Sequence, residues 1–363
     1  MTIPYVRFIL FWFFTISFLS CYTLPDIYFS RQVRIKVVGD LMCHSSQISA
    51  YYRPKTKDYD SSSSFEFVSN LLQDADLTLG NLETTIVTDP NEFTGYPRFG
   101  SPLGFLTGIK NAGFDLLSTA NNHSADKGSF GIDHTIDSVL SKGMIPIGTF
   151  KGNSDYLERK DLFQEINGIK IAIYNYTYST NGIPVKNERI VRLLNETTIQ
   201  EDVKYAKENG IQFVILWYHY GKEYEEKPDH SQTKWVNIGL EAGADIIIGG
   251  HPHVVQKVDV FQEDKNFEDR LVAYSLGNFL SAQNREATDG GIILTFQLEI
   301  DSQQRKRIKD VTIEPVWVFP HGYKIIPIQK YKQNELAIKV PKHSEKRMYA
   351  YETLLKKIPG LVF

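Results

Sequence analysis

The chain has 363 residues, enough for one large α/β domain or for one domain with an appendage. Its 40 basic and 43 acidic side chains leave a formal charge of -3, so no cationic excess points to nucleic acid or to an anionic membrane surface. Cys21 and Cys43 are the only cysteines, which excludes a disulfide framework and leaves stability to a packed core.

From Phe8 to Cys21 the run FILFWFFTISFLSC carries no charge and follows Arg7, the pattern of an export segment. It is shorter than the roughly 20 residues that span a bilayer, although extension to Leu24 leaves an uncleaved anchor open. Leu19-Ser20-Cys21 resembles a bacterial lipoprotein processing site, with Cys21 as the point of lipid attachment. Residues 1–30 are therefore assigned to a signal, lipoprotein or anchor segment with its linker, 31–330 to the main domain and 331–363 to a helical tail.

Next come apolar runs that each end in a polar residue: IKVVGD at 35–40, FDLLSTANNH at 114–123, FVILWYH at 213–219 and ADIIIGGH at 244–251. They read as buried strands. Asp58 to Asp60 and the Ser61 to Ser64 run after them read as a turn and helix N-cap for FEFVSNLLQDA. Helical periodicity covers 129–143 and 197–210, the second closing on Gly210. Alternating strand and helix predicts a largely parallel, layered sheet, whose strand ends gather polar side chains on one rim. Asn167-Gly168 between alternating runs predicts a hairpin, and RLVAYSLGNFL, GGIILTFQLEID and RIKDVTIEPVWVF add strands that belong to a second sheet or an antiparallel extension. HSEKRMYAYETLLKKI reads as a terminal amphipathic helix.

The polar run-ends carry the chemistry. Asp40, Glu83, Asn122, His123, His219, His251 and His253 each follow an apolar run, and divalent ions need several oxygen or imidazole ligands converging from such dispersed positions. GGHPHV is the most specific local signal, two histidines flanking a proline after two glycines that permit close backbone approach. Asn122 and His123 are adjacent, so one side chain can ligate an ion while the other faces substrate. The mixture of carboxylate, imidazole and amide favours Mn, Fe or Zn over Ca or Mg. The loop YNYTYSTNGIP offers aromatic and hydrogen-bonding groups suited to a polar polymer or sugar, and equally reads as an ordinary hairpin end; Lys222 and Glu223 either orient substrate or belong to a solvated loop.

VVGDLMCH at 37–44, LGNLETTI at 79–86, STANNHSADKG at 118–128, YTYSTNGIP at 176–184, LWYHYGKEY at 216–224, GGHPHVVQ at 249–256 and YSLGNFL at 274–280 together resemble the CapA-like capsule-synthesis family, named for poly-gamma-glutamate production and similar to calcineurin-type metallophosphoesterases. The resemblance implies a four-layer α/β sandwich, two central sheets flanked by helices, with one or two divalent ions at the strand ends. It carries Asp40, Glu83, Asn122, His219, His251 and His253 over as ligands and His123 as the group that assists a leaving group or binds substrate. Asn81, Tyr178, Asn181 and Asn278, within the matching stretches, become substrate-binding candidates.

The chain departs from ordinary metallophosphoesterases in two places. Met42 stands where the Asp-X-His signature has histidine, with His44 four residues after Asp40, and Gly80-Asn81 replaces Gly-Asp. The carboxylate that normally bridges two ions is thus left without an obvious match, Glu83 being the nearest. The resemblance implies a metal-dependent hydrolase of a phosphoester, or of an amide in an anionic cell-surface polymer such as poly-gamma-glutamate. The alternative is a non-catalytic polymer-binding component of a membrane capsule-synthesis ligase complex.

Overall fold

The computed structural model describes residues 30–161, 163–261 and 269–363, so the expectations for the export segment and Cys21 lie outside the described residues. Among the described residues no helix is long and apolar enough to cross a membrane. The chain opens with β1 (Arg31–Leu41), β2 (Leu77–Leu82), β3 (Leu116–Ser118) and β4 (Ile145–Ile147). It then builds a second sheet from β5 (Gln164–Ile166), β6 (Ile169–Thr177), β7 (Phe213–His219), β8 (Ile246–Gly250), β9 (Val258–Phe261) and β10 (Arg270–Ala273). Finally it returns to the first sheet with β11 (Asn278–Leu280), β12 (Gly290–Ile300), β13 (Lys306–Phe319) and β14 (Lys324–Pro327).

The first sheet runs β14-β13-β12-β1-β2-β3-β4, with β11 also paired to β1, and the second runs β5-β6-β7-β8-β10-β9. Both are mixed. β1 is parallel to β2 and β11 but antiparallel to β12, while β6, β7, β8 and β10 are parallel between antiparallel edges β5 and β9. The parallel sets β1-β2-β3-β4 and β6-β7-β8-β10 are the layered pairing expected, and β12, β13 and β14 form the expected antiparallel extension. The late strands follow one another without crossover helices, so they pair with opposite direction.

Period-two alternation explains the layering. Val33, Ile35 and Val37 of β1 face the same apolar cluster as Ile171 and Ile173 of β6, Phe213, Ile215 and Trp217 of β7, and Ile246 and Ile248 of β8. That cluster is the core between the sheets. The intervening residues face outward: Val38 packs with Phe105, Leu106 and Ile109 of the helix α1 (Leu103–Asn111), beyond which α2 (Gly128–Ser141) follows β3. On the other sheet Ala172, Val214 and Ile247 pack with Ile199 and Val203 of α3 (Glu196–Glu208) and Val236 of α4 (His230–Ala242). Helix, sheet, sheet, helix is the four-layer sandwich expected. Truncating a residue such as Ile215, fully buried between the sheets, costs about 2–5 kcal/mol.

Local signals act as their chemistry dictates. Asn195 caps α3 through a bond from the Thr198 N–H, and Gly210 just beyond its end has φ +73. Asn167 and Gly168 both have positive φ, as the two-residue turn between β5 and β6 requires. Within the segment read as a turn and cap, the side chain that takes the N–H of the first turn is Asp60 and not Ser61. The Ser61 hydroxyl, fully buried, donates to the carbonyls of Gly104 and Phe105 rather than capping a helix, and Asp60 Oδ1 takes the Ser62 N–H instead. The final helix α5 (Lys342–Leu355) places Met348, Tyr351 and Leu355 in the same apolar cluster as the sheets.

Candidate metal centre

Strand register delivers the ligands. In the first sheet Asp40 lies opposite Asn81 on one side and Asn278 on the other. In the second, His219 lies opposite Thr177 and Gly250. The two sheet ends meet at Gly250, where an added Cβ would stand 2.9 Å from Asp40 Oδ1 and 3.7 Å from His219 Nδ1. Only glycine leaves that space. The chain then turns through His251 and His253, both at positive φ (97° and 60°), a conformation costing about 1–3 kcal/mol per non-glycine residue and concentrated at functional sites.

The result is a buried cluster. Asp40, Glu83, Asn122, His123, His219, His251 and His253 are each at most 3% exposed. Ligand atoms of Asp40, Glu83 and His219 lie within 4.8 Å of one another, as do those of Glu83, His251 and His253. Glu83, the nearest carboxylate to the unmatched bridging residue in the sequence, belongs to both triads.

Hydrogen bonds fix the orientations. Asn81 Oδ1 accepts from Ser118 Oγ (2.8 Å) and Asn121 Nδ2 (3.3 Å), so its Nδ2 faces Asp40 Oδ1 (2.8 Å), Glu83 Oε2 (3.4 Å) and His219 Nδ1 (3.2 Å). His219 Nδ1 is therefore the acceptor, and Nε2 meets Asn122 Oδ1 at 2.8 Å. His253 gives its Nδ1–H to Asp40 Oδ2 (3.0 Å), leaving Nε2 3.8 Å from Glu83 Oε1. A carboxylate-oriented imidazole with its second nitrogen free is the arrangement of a metal-ligating histidine.

Glu83 Oε1 and His251 Nδ1 are among the buried atoms that have no hydrogen-bond partner in the described residues. Buried polar atoms are almost always satisfied, and these two lie in the shared triad. Both are lone-pair donors suited to a cation, so the residues fit a divalent ion. Electrostatics agree. Burial, with Asp40 beside it, drives the Glu83 carboxyl well above its usual range. Burial alone dominates at His219, lowered to about 3, and holds His251 well below its ordinary value. Burial opposes charge on His253, yet Glu83 and the Asp40 bond lift it to about 9. Burial works to raise Asp40, but the His253 bond overcomes it and lowers the carboxyl. The cluster thus holds a proton where an ion would neutralise the carboxylates.

The remaining candidates divide. His123 lies outside both triads and lines, with His253, a cavity of about 240 Å³. Its Nδ1 is 2.7 Å from Asp126 Oδ2, which also accepts the Phe99 N–H at 2.7 Å. Tyr178 stacks near the cluster, its ring 4.7 Å from that of His251. Asn81 spends its amide on protein groups beneath the cluster. Asn278 is fully buried beside Asp40 and donates to Thr288 O and Gln283 Oε1. Asn181 sits exposed in a left-handed turn, its N–H bonded to Ser179 Oγ, and makes no hydrogen bond to the cluster among the described residues.

Sequence reasoning missed Asp126. Its three-residue spacing from His123 within STANNHSADKG was the available signal, because a turn places such residues side by side. His44 was also passed over as a site residue, yet it lines the same cavity, where burial holds its imidazole down at about 4.

The model of the bacterial capsule synthesis protein family PGA_cap matches residues 34–283. The chain is similar to the capsule biosynthesis protein CapA of Bacillus anthracis, 25% identical over 280 residues that cover 74% of this chain and 64% of that protein. It is equally similar to the PGA biosynthesis protein CapA of Bacillus subtilis (strain 168), 25% identical over 293 residues covering 76% and 70% of the two chains. The chain thus spans just under two thirds of the B. anthracis relative. The solved NAD nucleotidase (NadN) of Haemophilus influenzae has a similar fold, with a TM-score of 0.51, 15% identity, and coverage of 92% of this chain and 64% of that one. The fold is metallophosphoesterase-like.

Proposed function

The chain belongs to the bacterial capsule synthesis protein family PGA_cap, and from that premise we propose that it is an exported, envelope-attached metal-dependent hydrolase that processes a phosphoester, or an amide in an anionic polymer such as poly-gamma-glutamate. The observation that carries the reading is the pair of unpartnered buried atoms, Glu83 Oε1 and His251 Nδ1, in the triad shared with His253. Asp40, Glu83, Asn122, His219, His251 and His253 would hold one or two ions of Mn, Fe or Zn. Such an ion supplies Lewis acidity and lowers the pKa of a water toward neutrality.

The chain's own residues supply the rest. Asp126 can only accept, so His123 carries its proton on Nδ1 and presents Nε2 to the cavity. The carboxylate fixes the ring and stabilises the imidazolium, which suits His123 to pass a proton at Nε2 to a leaving oxygen or nitrogen. Phe99, with its ring 4.7 Å from that of His123 and edge-on, shields the dyad from water. Asn81 holds Asp40 and His219 in place. Attachment through the N-terminal segment, with lipid on Cys21, accords with an envelope polymer; fatty-acid labelling that is unchanged in Cys21→Ala would remove the lipid from the account.

The printed names of the Bacillus relatives are biosynthetic, which favours a second reading: a non-catalytic component that guides polymer for a membrane ligase complex. Hydrolysis of bis(p-nitrophenyl) phosphate by the full chain with added Mn separates the two. Turnover that disappears in His251→Ala is expected, and the absence of turnover with every added ion selects the second reading.

A further inference from the structure

We infer, on the metal reading proposed above, that the centre takes a single divalent ion, at Glu83, His251 and His253, and that the side-chain amide of Asn81 fills the place of a second. Asp40 Oδ1, Glu83 Oε2 and His219 Nδ1 converge on Asn81 Nδ2, at 2.8, 3.4 and 3.2 Å. These atoms belong to the three residues of one triad. At their centre stands an NH2 group, whose two hydrogens carry partial positive charge and meet the lone pairs that would otherwise face a cation.

The amide is locked in that orientation. Its Oδ1 faces Asn121 Nδ2 at 3.3 Å, a group that can only donate, so the oxygen and nitrogen of Asn81 cannot exchange places. Ser118 Oγ holds the same oxygen at 2.8 Å, and Asn121 Nδ2 is itself tied to the carbonyl of Leu82 at 2.8 Å. Asn81 is fully buried, and the register of β2 fixes it opposite Asp40. His219 is closed by the same contacts: its lone pair at Nδ1 faces the amide, and its Nε2–H goes to Asn122 Oδ1 at 2.8 Å. A neutral imidazole has one nitrogen lone pair, so His219 has none left for an ion.

The Glu83-His251-His253 triad has the opposite character. Glu83 Oε1 and His251 Nδ1 have no hydrogen-bond partner, and His253, having given its Nδ1–H to Asp40, turns Nε2 to within 3.8 Å of Glu83 Oε1. Lone pairs gather there without a donor between them. Charge sets the same limit. Asp40 and Glu83 are the carboxylates of the two triads, and together they neutralise one divalent ion; a second would add two positive charges to a buried site without a matching carboxylate in either triad.

The test counts ions and needs no turnover. Mn(II) is titrated into the full chain, and the bound metal is followed by electron paramagnetic resonance and by elemental analysis after gel filtration. The wild type should retain one equivalent, with the hyperfine pattern of an isolated Mn(II). Asn81→Asp keeps the shape and the oxygen toward Ser118 and Asn121 but puts a charged acceptor where the donor stood, so it should take a second equivalent and show the exchange-coupled pattern of a pair. Two equivalents in the wild type, or one in a folded Asn81→Asp, overturns the single-ion assignment and leaves the metal reading standing. If Asn81→Asp does not fold, the wild-type count decides. No bound ion in the wild type overturns both.

Discussion

His253 donates its Nδ1–H to Asp40 Oδ2 at 3.0 Å, a bond between residues 213 positions apart that joins the end of one sheet to the turn leaving the other. Because both partners are buried, the bond sets the tautomer of His253 and the direction of its Nε2. Asp40→Asn, with its amide nitrogen toward His253, removes the acceptor charge. Zinc affinity, read by competition with a chromophoric chelator, should fall about 10- to 100-fold. An unchanged affinity would show that Asp40 neither ligates nor orients.

Glu83 is costly to the metal-free protein. Its Oε1 is buried without a hydrogen bond, so Glu83→Met, which removes the carboxyl, should raise the melting midpoint in chelator, by the equivalent of about 1–3 kcal/mol. Added Zn should then stabilise the wild type and leave the variant unmoved. Calorimetry with and without metal checks both halves, and a variant that is less stable in chelator would contradict them.

His123 and Asp126 should separate chemistry from metal retention. His123→Ala is expected to lower kcat on bis(p-nitrophenyl) phosphate by about 10²- to 10⁴-fold with bound metal unchanged. Asp126→Asn should lower kcat less and shift the pH profile, because the ring loses its carboxylate but stays in place. Loss of metal in His123→Ala would move that histidine into the ligand set.

Much of this was legible in the sequence because it is written locally. The runs ending at Asp40, His219 and Gly250 are strands by their apolar content, and the Asn167-Gly168 turn announces its own geometry. Tertiary pairing was not legible. Nothing local places Asn278 beside Asp40, since β11 reaches β1 from a distant part of the chain. Ser61 resembles a cap by composition and is diverted by carbonyls of residues 104 and 105. Glu83 appeared to be merely the nearest carboxylate, and only the meeting of the two sheets puts it in both triads.

Away from the cluster, Glu314 provides a pH prediction. Burial raises its carboxyl to about 7, against a bond from the Gln329 N–H that favours the charged form. The folded state therefore binds more protons than the unfolded state between about pH 4.5 and 7, and stability falls as pH rises through that window. Partial exposure limits the loss to about 1–2 kcal/mol. Urea midpoints for wild type and Glu314→Gln should diverge between about pH 4.5 and 7 and stay apart above that window, with the variant the more stable. Parallel curves would refute the assignment.

Metal analysis of the purified full chain tests the central claim most directly, because every role above depends on separate strand ends meeting around an ion. One or two equivalents of Mn, Fe or Zn per chain are predicted, lost in His251→Ala while the fold, followed by circular dichroism, is kept. A chain that contains no transition metal and takes up none from Mn or Zn solutions would contradict it.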